Sequence, residues 1–346
     1  MFGWQPKAAG RMQAQVLVSH SVETIQMETI ELGDPGPGEV LVRHHLTAMS
    51  PGTERASLLQ LPNVPTHGWP RNVGYSAVGE VVAAGEGVDL APGTRVLTRG
   101  RHATAGLAPM RDVFLVEDDV ADQEAAFHML LRISMQAVRK ARVEMGETVL
   151  VIGGGLIGQL AAQFAYVAGA GRVLVADLDP SRRAMAESVP WLESMDPTSE
   201  AERAALAEGP TGGPQVVIES TGFPAPINDA FIMAGHYARV LLLGSTRGST
   251  ESVNFYRDVH KKGLTIIGAH DSIRQPDAGD NPVLNALPVL WSPRRDVAAA
   301  LRLAVAGRIT LDPLITHRVK GSEFKEVYDL LFDFEPSLVG CLFDWR

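Results

Sequence analysis

The 346-residue chain contains a single cysteine, Cys341. An intrachain disulfide is therefore impossible, and so is a zinc site built from several cysteines. No apolar stretch approaches the roughly 18 residues that a membrane-spanning helix needs. The opening MFGWQPKAAGRMQAQ has no apolar centre of the kind a signal peptide carries. Cytoplasm is the expected location. Runs of basic residues are missing, and the net charge is −9, so neither nucleic acid nor an anionic membrane is expected as a partner. Internal repeats and low-complexity tracts are missing too.

What is present is a chain long enough for two domains and a large core. Residues 13–120 read as mostly β. QAQVLVSH, EVLVRHHL, AVGEVVAAG and TRVLTRG are short runs rich in β-branched residues, separated by turn clusters such as GDPGPGE and DLAPGTR. Residues 123–142 form a helical pattern without Gly or Pro. Strands and helices then alternate from 148 to about 268, with strands expected at 216–218, 240–243 and 264–267. Such alternation implies an α/β fold with a parallel, doubly wound sheet. Further on, helices are expected at 296–306 and 323–332, and strands at 314–319 and 338–343. Residues 277–288, DAGDNPVLNALP, read as a loop that either covers a site or simply connects.

Residues 147–177 carry the clearest chemical signal. An apolar run at 149–152 breaks into Gly153-x-Gly155-x-x-Gly158, a helical pattern follows, and a second apolar run ends at Asp177. This is a dinucleotide turn with its strand and helix attached. The first glycine allows the tight turn, the second lets the backbone approach a pyrophosphate, and the third lets helix and strand pack closely. The helix start at Leu156 and Ile157 offers N–H groups to the phosphates. Asp177 lies 19 residues after Gly158, where a carboxylate accepts from ribose hydroxyls and repels a 2′-phosphate. That favours NAD, while Arg182 and Arg183 leave NADP open.

PGPGEVLVR, VGEVVAAGEGVDLAPGTRV, the GGGLIG turn, VVIESTG, RVLLLG and LITHRV occur here in one order along the chain. In that order the sequence resembles the medium-chain dehydrogenase/reductase superfamily over nearly its whole length. The resemblance implies a β-rich GroES-like catalytic domain over 1–122, a Rossmann NAD-binding domain over 123–290 and a C-terminal return over 291–346. It places Glu219, Ser220, Thr221 and Gly222 at the end of the fourth Rossmann strand. Gly244 and Ser245 fall at the end of the fifth, and His270 follows the sixth, all beside the cofactor. A homodimer is implied as well.

The departures concern the metal. Many members hold a catalytic zinc through a Cys, a His and a later Glu or Cys. Here the first of those motifs reads Pro51-Gly52-Thr53-Glu54, the second reads Gly74-Tyr75-Ser76, and the third falls near His128-Met129. The cysteine-rich structural zinc lobe is missing. No zinc is expected. Together with NFYRDVHKKGLTIIGAH, these motifs are similar to a zinc-independent branch that includes sugar- and cyclitol-type and bacteriochlorophyllide-type dehydrogenases.

Without a metal, side chains must handle the hydroxyl proton and the developing alkoxide. The resemblance places Thr53 at the family's proton-relay hydroxyl and Tyr75 where the zinc-binding His stands. Glu54 follows as a group that orients a neighbour or binds substrate hydroxyls. Each has a plainer alternative: Thr53 caps a turn, Tyr75 fills space, Glu54 pairs with an arginine. The expected activity is zinc-independent hydride transfer between NAD and a secondary alcohol of a sugar, cyclitol or larger metabolite. A quinone or enone reductase using NAD(P)H, and a non-catalytic nucleotide-binding protein, are the alternatives.

Overall fold

A computed structural model describes residues 11–65, 68–271 and 291–346; the expected loop at 277–288 lies outside them. The chain forms two compact units. One comprises the described residues of Met1–Gln60 and Pro65–Met129, together with Ile315–Arg346. The other comprises Leu61–Val64 and the described residues of Leu130–Leu314.

The first unit is built from β1 (Met12–Ser19), β2 (Gln26–Leu32), β3 (Glu39–Met49), β4 (Arg71–Asn72), β5 (Ala77–Ala84), β6 (Arg95–Thr98), β7 (Ala105–Pro109) and β8 (Val113–Leu115). Helices α1 (Pro51–Leu58) and α2 (Asp122–Ala126) punctuate them, and α3 (His128–Ala141) begins here. The second unit contains β9 (Thr148–Ile152), α4 (Leu156–Val167), β10 (Arg172–Ala176), α5 (Pro180–Glu187), β11 (Glu193–Met195) and α6 (Glu200–Ala207). It continues with β12 (Val216–Glu219), α7 (Ala225–Met233), β13 (Arg239–Leu242), β14 (Thr265–Gly268) and α8 (Pro293–Val305). β15 (His317–Lys320), α9 (Phe324–Phe332) and β16 (Cys341–Asp344) return to the first.

In the second unit the strands pair in parallel, in the order β11-β10-β9-β12-β13-β14. Numbered within this sheet, that is 3-2-1-4-5-6, the doubly wound order that binds dinucleotides where the order reverses. The central strands read as unbroken apolar runs because both of their faces are buried. Leu150, Ile152, Leu174 and Val217 join Leu206 of α6 and Phe231 of α7 in one core cluster. The alternate residues Val151, Val175 and Ile218, on the opposite face, are equally buried.

In the first unit β3 is the organising strand, antiparallel to β5, β7 and β16. A second sheet has the order β2-β1-β4. The returning segment completes the core: Tyr328, Cys341 and Phe343 pack with Leu17, Met49 and Leu58. Cys341 is thus a packed core thiol, and burial pushes its pKa well above the ordinary value. This is an α/β protein with a Rossmann sheet and a β-rich GroES-like domain.

Two features differ from the sequence reading. The helix expected over 123–142 is broken at Phe127. The Ser76 hydroxyl sits at the break, donating to Ala126 O at 2.6 Å and accepting from Met129 N at 3.4 Å. The unit boundaries also lie later, after Met129 and Leu314 rather than after 122 and 290. The reason at the second boundary is side-chain bonding within the Rossmann unit. Arg139 pairs with Asp296 of α8 at 2.9 Å. Gln163 brackets Thr310, accepting from its N–H at 2.7 Å and donating to its carbonyl at 3.0 Å.

Candidate cofactor and catalytic sites

β9 ends at Ile152, and Gly153 turns the chain with φ of +102°. A left-handed residue is required there, and only glycine adopts it at low cost. A Cβ on Gly158 would lie 1.8 Å from the Gly153 carbonyl oxygen, so the third glycine is fixed by backbone contact. Gly155 is the opposite case: a Cβ there would meet nothing within 4 Å. It is the N-cap of α4, and no side chain caps that helix end. Leu156 and Ile157 form its first turn, with N–H groups available for an anion.

The Asp177 carboxylate braces this turn. It accepts from Gly154 N at 2.7 Å through Oδ2 and from Asp179 N at 2.8 Å through Oδ1. Each oxygen keeps a second lone pair for another donor. The Arg182 guanidinium stands 3.9 Å from Oδ2. Asp179 caps α5, accepting from Ser181 N and Arg182 N, and so sets where Arg182 begins. Gln159, buried in α4, donates to Arg182 O at 2.9 Å and Gly154 O at 3.3 Å. Turn, α4 and α5 are thereby locked together.

The neighbouring strand end carries Ser220, Thr221 and Gly222. Ser220 Oγ donates to the carbonyls of Ile152 and Gly153 at 2.9 and 3.0 Å, tying β12 to the glycine turn. Thr221 donates both its N–H, at 2.7 Å, and its hydroxyl to Glu219 Oε1. Gly244 lies so close that a Cβ there would be 2.4 Å from Gly222 N. Ser245 is exposed just beyond. His270 follows β14, three places from β9 in the sheet, or ~14 Å at the usual strand spacing. Its ring is exposed, and its carbonyl accepts from Lys140.

Glu219 precedes Ser220, Thr221 and Gly222 as the last position of β12. It is fully buried, and among the described residues its Oε2 has no hydrogen-bond partner. Burial raises its pKa, against the opposing pull of the Thr221 and Gly222 donors.

In the β-rich unit, α1 carries Pro51 at its first position and Thr53 on its exposed side. Thr53 caps no turn; Ser50 is the N-cap. Among the described residues, Glu54 pairs with no arginine. It is 4% exposed and accepts from Ser50 N at 3.0 Å, His102 Nε2 at 3.2 Å and Tyr328 OH at 2.8 Å. His102, wholly buried, also holds Thr47 Oγ1 at 2.7 Å and donates its N–H to Val73 O at 2.8 Å. Thr47 in turn accepts from Trp345 Nε1 at 2.9 Å. Glu54 is therefore a structural anchor that ties α1 to the segment leading into Tyr75. Tyr75 itself is half-buried. No spacing in the sequence pointed to His102 or Tyr328, 48 and 274 residues from Glu54.

These residues do not fit a catalytic zinc. Pro51 offers no donor atom. His128 is sealed in the core, its Nδ1 3.2 Å from both Ser76 Oγ and Ala125 O. Among the described residues no three His, Cys, Asp or Glu side chains converge on a common point.

A Rossmann sheet with a glycine turn, joined in sequence to a GroES-like unit, defines a nucleotide-binding oxidoreductase fold. Comparison with known proteins narrows the class. Residues 157–272 match the family described as zinc-binding dehydrogenase. L-Galactonate-5-dehydrogenase of Escherichia coli K12 is 28% identical over 346 residues, covering 91% of this chain and 94% of that protein. The 2-desacetyl-2-hydroxyethyl bacteriochlorophyllide A dehydrogenase of Cereibacter sphaeroides is 25% identical over 352 residues, covering 97% and 99%. Among solved structures, galactitol-1-phosphate dehydrogenase from Escherichia coli aligns with a TM-score of 0.81 at 21% identity, over 95% of this chain and 99% of that one. Two further structures align at a TM-score of 0.78. One is a Sinorhizobium meliloti protein bound to NADP, at 24% identity over 96% and 100% of the two chains; the other is an Escherichia coli CFT073 protein complexed with NADH, at 19% identity over 97% and 100%. Over nearly its whole length the chain is similar to dehydrogenases of the medium-chain dehydrogenase/reductase type.

Proposed function

We propose that the protein is an NAD-dependent dehydrogenase that transfers hydride between a secondary alcohol and the nicotinamide without zinc. The observation that carries this reading is the glycine turn braced by Asp177. Gly155 is open to a pyrophosphate, the first turn of α4 supplies N–H donors, and the spare lone pairs of Asp177 suit ribose hydroxyls. Bound NAD would supply the hydride acceptor. Leu156, Ile157, Ser220, Thr221, Gly222, Gly244, Ser245 and His270 complete the proposed cofactor contacts.

Thr53 and Tyr75 are the proposed proton-handling groups, since a hydroxyl and a phenol each donate and accept. Glu54 acts behind them, holding α1. Names of the relatives point to polyols, sugar acids or larger alcohols as the substrate class. The reading includes a cytoplasmic enzyme and a homodimer. In support of the dimer, β14 pairs only with β13 among the described residues and leaves Ile266 exposed, and such an edge takes another strand.

The test is a screen of secondary alcohols, polyols and sugar acids with NAD, read by absorbance, beside titrations with NADH and NADPH and elemental analysis for zinc. The expected result is NAD-linked oxidation that survives chelators. A clear NADPH preference with quinone reduction would favour the reductase reading, and stoichiometric zinc lost together with activity would defeat the metal-free one.

A further inference from the structure

The β-rich unit holds a cavity of about 350 Å³ that the proposed chemistry does not use. Arg99, Arg101, Asn72, His44 and Asp112 line it. Among the described residues, no carboxylate pairs with either arginine. Arg101 Nη1 donates to the neutral Asn72 Oδ1 at 2.7 Å, and burial holds its guanidinium pKa below the ordinary value. A half-buried cation facing only an amide oxygen is an incomplete arrangement, and an anion is what completes it. Because Asn72 spends its carbonyl on Arg101, its amide N–H groups remain to donate.

The cavity also offers acceptors. His44 is 2% exposed and its Nδ1 lies 2.8 Å from the Ala103 carbonyl, so the proton sits on Nδ1 and Nε2 is an acceptor. Its Cε1–Nε2 edge faces Gly100 and Gly106, which also line the cavity. Asp112, 4.0 Å from Arg111, adds a carboxylate. Donors for an anion and acceptors for hydroxyls therefore share one space, whose volume is at the lower end for small-molecule sites.

We propose that this cavity binds a small hydroxylated organic anion. Its carboxylate or phosphate meets Arg99, Arg101 and the Asn72 amide, and its hydroxyls meet His44 Nε2 and Asp112. A bare anion gains less, because Asp112 repels it and His44 offers it no proton. The site does not depend on the dehydrogenase reading: every residue in it belongs to the β-rich unit.

Calorimetric titration of the full chain tests this with D-gluconate, sorbitol 6-phosphate, inorganic phosphate and uncharged sorbitol, each without and with saturating NADH. One hydroxylated anion should bind one-to-one, roughly tenfold or more tighter than phosphate or sorbitol, and NADH should leave it unaffected. Whichever of gluconate and sorbitol 6-phosphate binds tighter identifies the anionic group. Arg99→Ala and Arg101→Gln should each weaken binding by about tenfold or more. Gly106→Leu, which fills the space and keeps every charge, should abolish it. Lys325→Ala, removing an exposed cation from α9, should change nothing. Absence of saturable heat overturns the proposal. So does binding that survives both arginine substitutions, binding lost when NADH is present, or binding no tighter than that of inorganic phosphate.

Discussion

The Tyr328 hydroxyl donates to the Glu54 carboxylate at 2.8 Å, joining α9 to α1 across 274 residues of sequence. Both side chains are buried. Burial first, and the Glu54 charge second, hold the phenol protonated by raising its pKa well above the ordinary value. Tyr328→Phe leaves the carboxylate short of one donor in a dry setting, and should cost about 1–3 kcal/mol by urea unfolding. A double-mutant cycle with Glu54→Gln should show the two changes to be non-additive.

Asp177 braces Gly154, and in the proposed function it also faces the ribose. Asp177→Ala removes both, so NADH affinity should fall by roughly tenfold or more, consistent with losing hydrogen bonds to a charged group. NADPH affinity should fall less, since Arg182 loses its competing carboxylate. Fluorescence titration reads both, and unchanged NADH-over-NADPH selectivity would move the determinant away from Asp177.

Thr53→Val and Tyr75→Phe each delete one hydroxyl. If these groups pass the proton, turnover should fall by about 10²-fold or more for whichever is the principal relay, while NADH affinity stays near wild type. Full turnover in both variants would remove them from the proton path. Thr53 stands on the exposed side of its helix, so its substitution should leave the urea midpoint within about 0.5 kcal/mol of wild type.

His44 gives the β-rich unit an acid sensitivity. Burial, the largest cause, lowers its pKa from the ordinary 6.5 to about 4. Between those values the unfolded chain binds a proton that the folded chain refuses, so stability rises with pH across that window and falls on acidification. The full loss, reached below pH ~4, is about 3 kcal/mol. Urea midpoints at several pH values should show this slope, and His44→Gln should flatten it.

Glu219 works in the opposite direction. Its raised pKa means that the folded chain holds a proton more readily than the unfolded chain. Its penalty therefore appears as pH rises through the unfolded value and is fully present above the folded one. Glu219→Gln should accordingly raise the thermal midpoint more at pH 7 than at pH 4.

The second unit was largely legible from the sequence because its signals are local. A strand, three glycines at fixed offsets, a helix and an acid fall within 31 consecutive residues, and the tightest contact that keeps position 158 a glycine, with the Gly153 carbonyl, lies inside that stretch. The split at Phe127 was illegible because its cause, Ser76, lies some 50 residues upstream. Glu54 shows the same limit at the candidate site. The motif around it was visible, but its partners His102 and Tyr328 come from a loop and from the returning C-terminal helix. Glu54 was read as a group that orients a neighbour or binds substrate hydroxyls, and the neighbours it holds are His102 and Tyr328. β11, three residues with no distinct pattern, was missed altogether.

The tight fit of the glycine turn sets how this scaffold can be re-engineered. Alanine at 158 would drive a methyl group into the Gly153 carbonyl, and alanine at 153 would meet Ser220 and Thr221. Those positions offer a protein engineer no freedom. Under the proposed function, a designer seeking to exchange one nicotinamide coenzyme for another is left with a short strip at the strand end, chiefly Asp177 and the adjoining Arg182. A focused library there, rather than across the turn, is where a changed coenzyme diet should first be found.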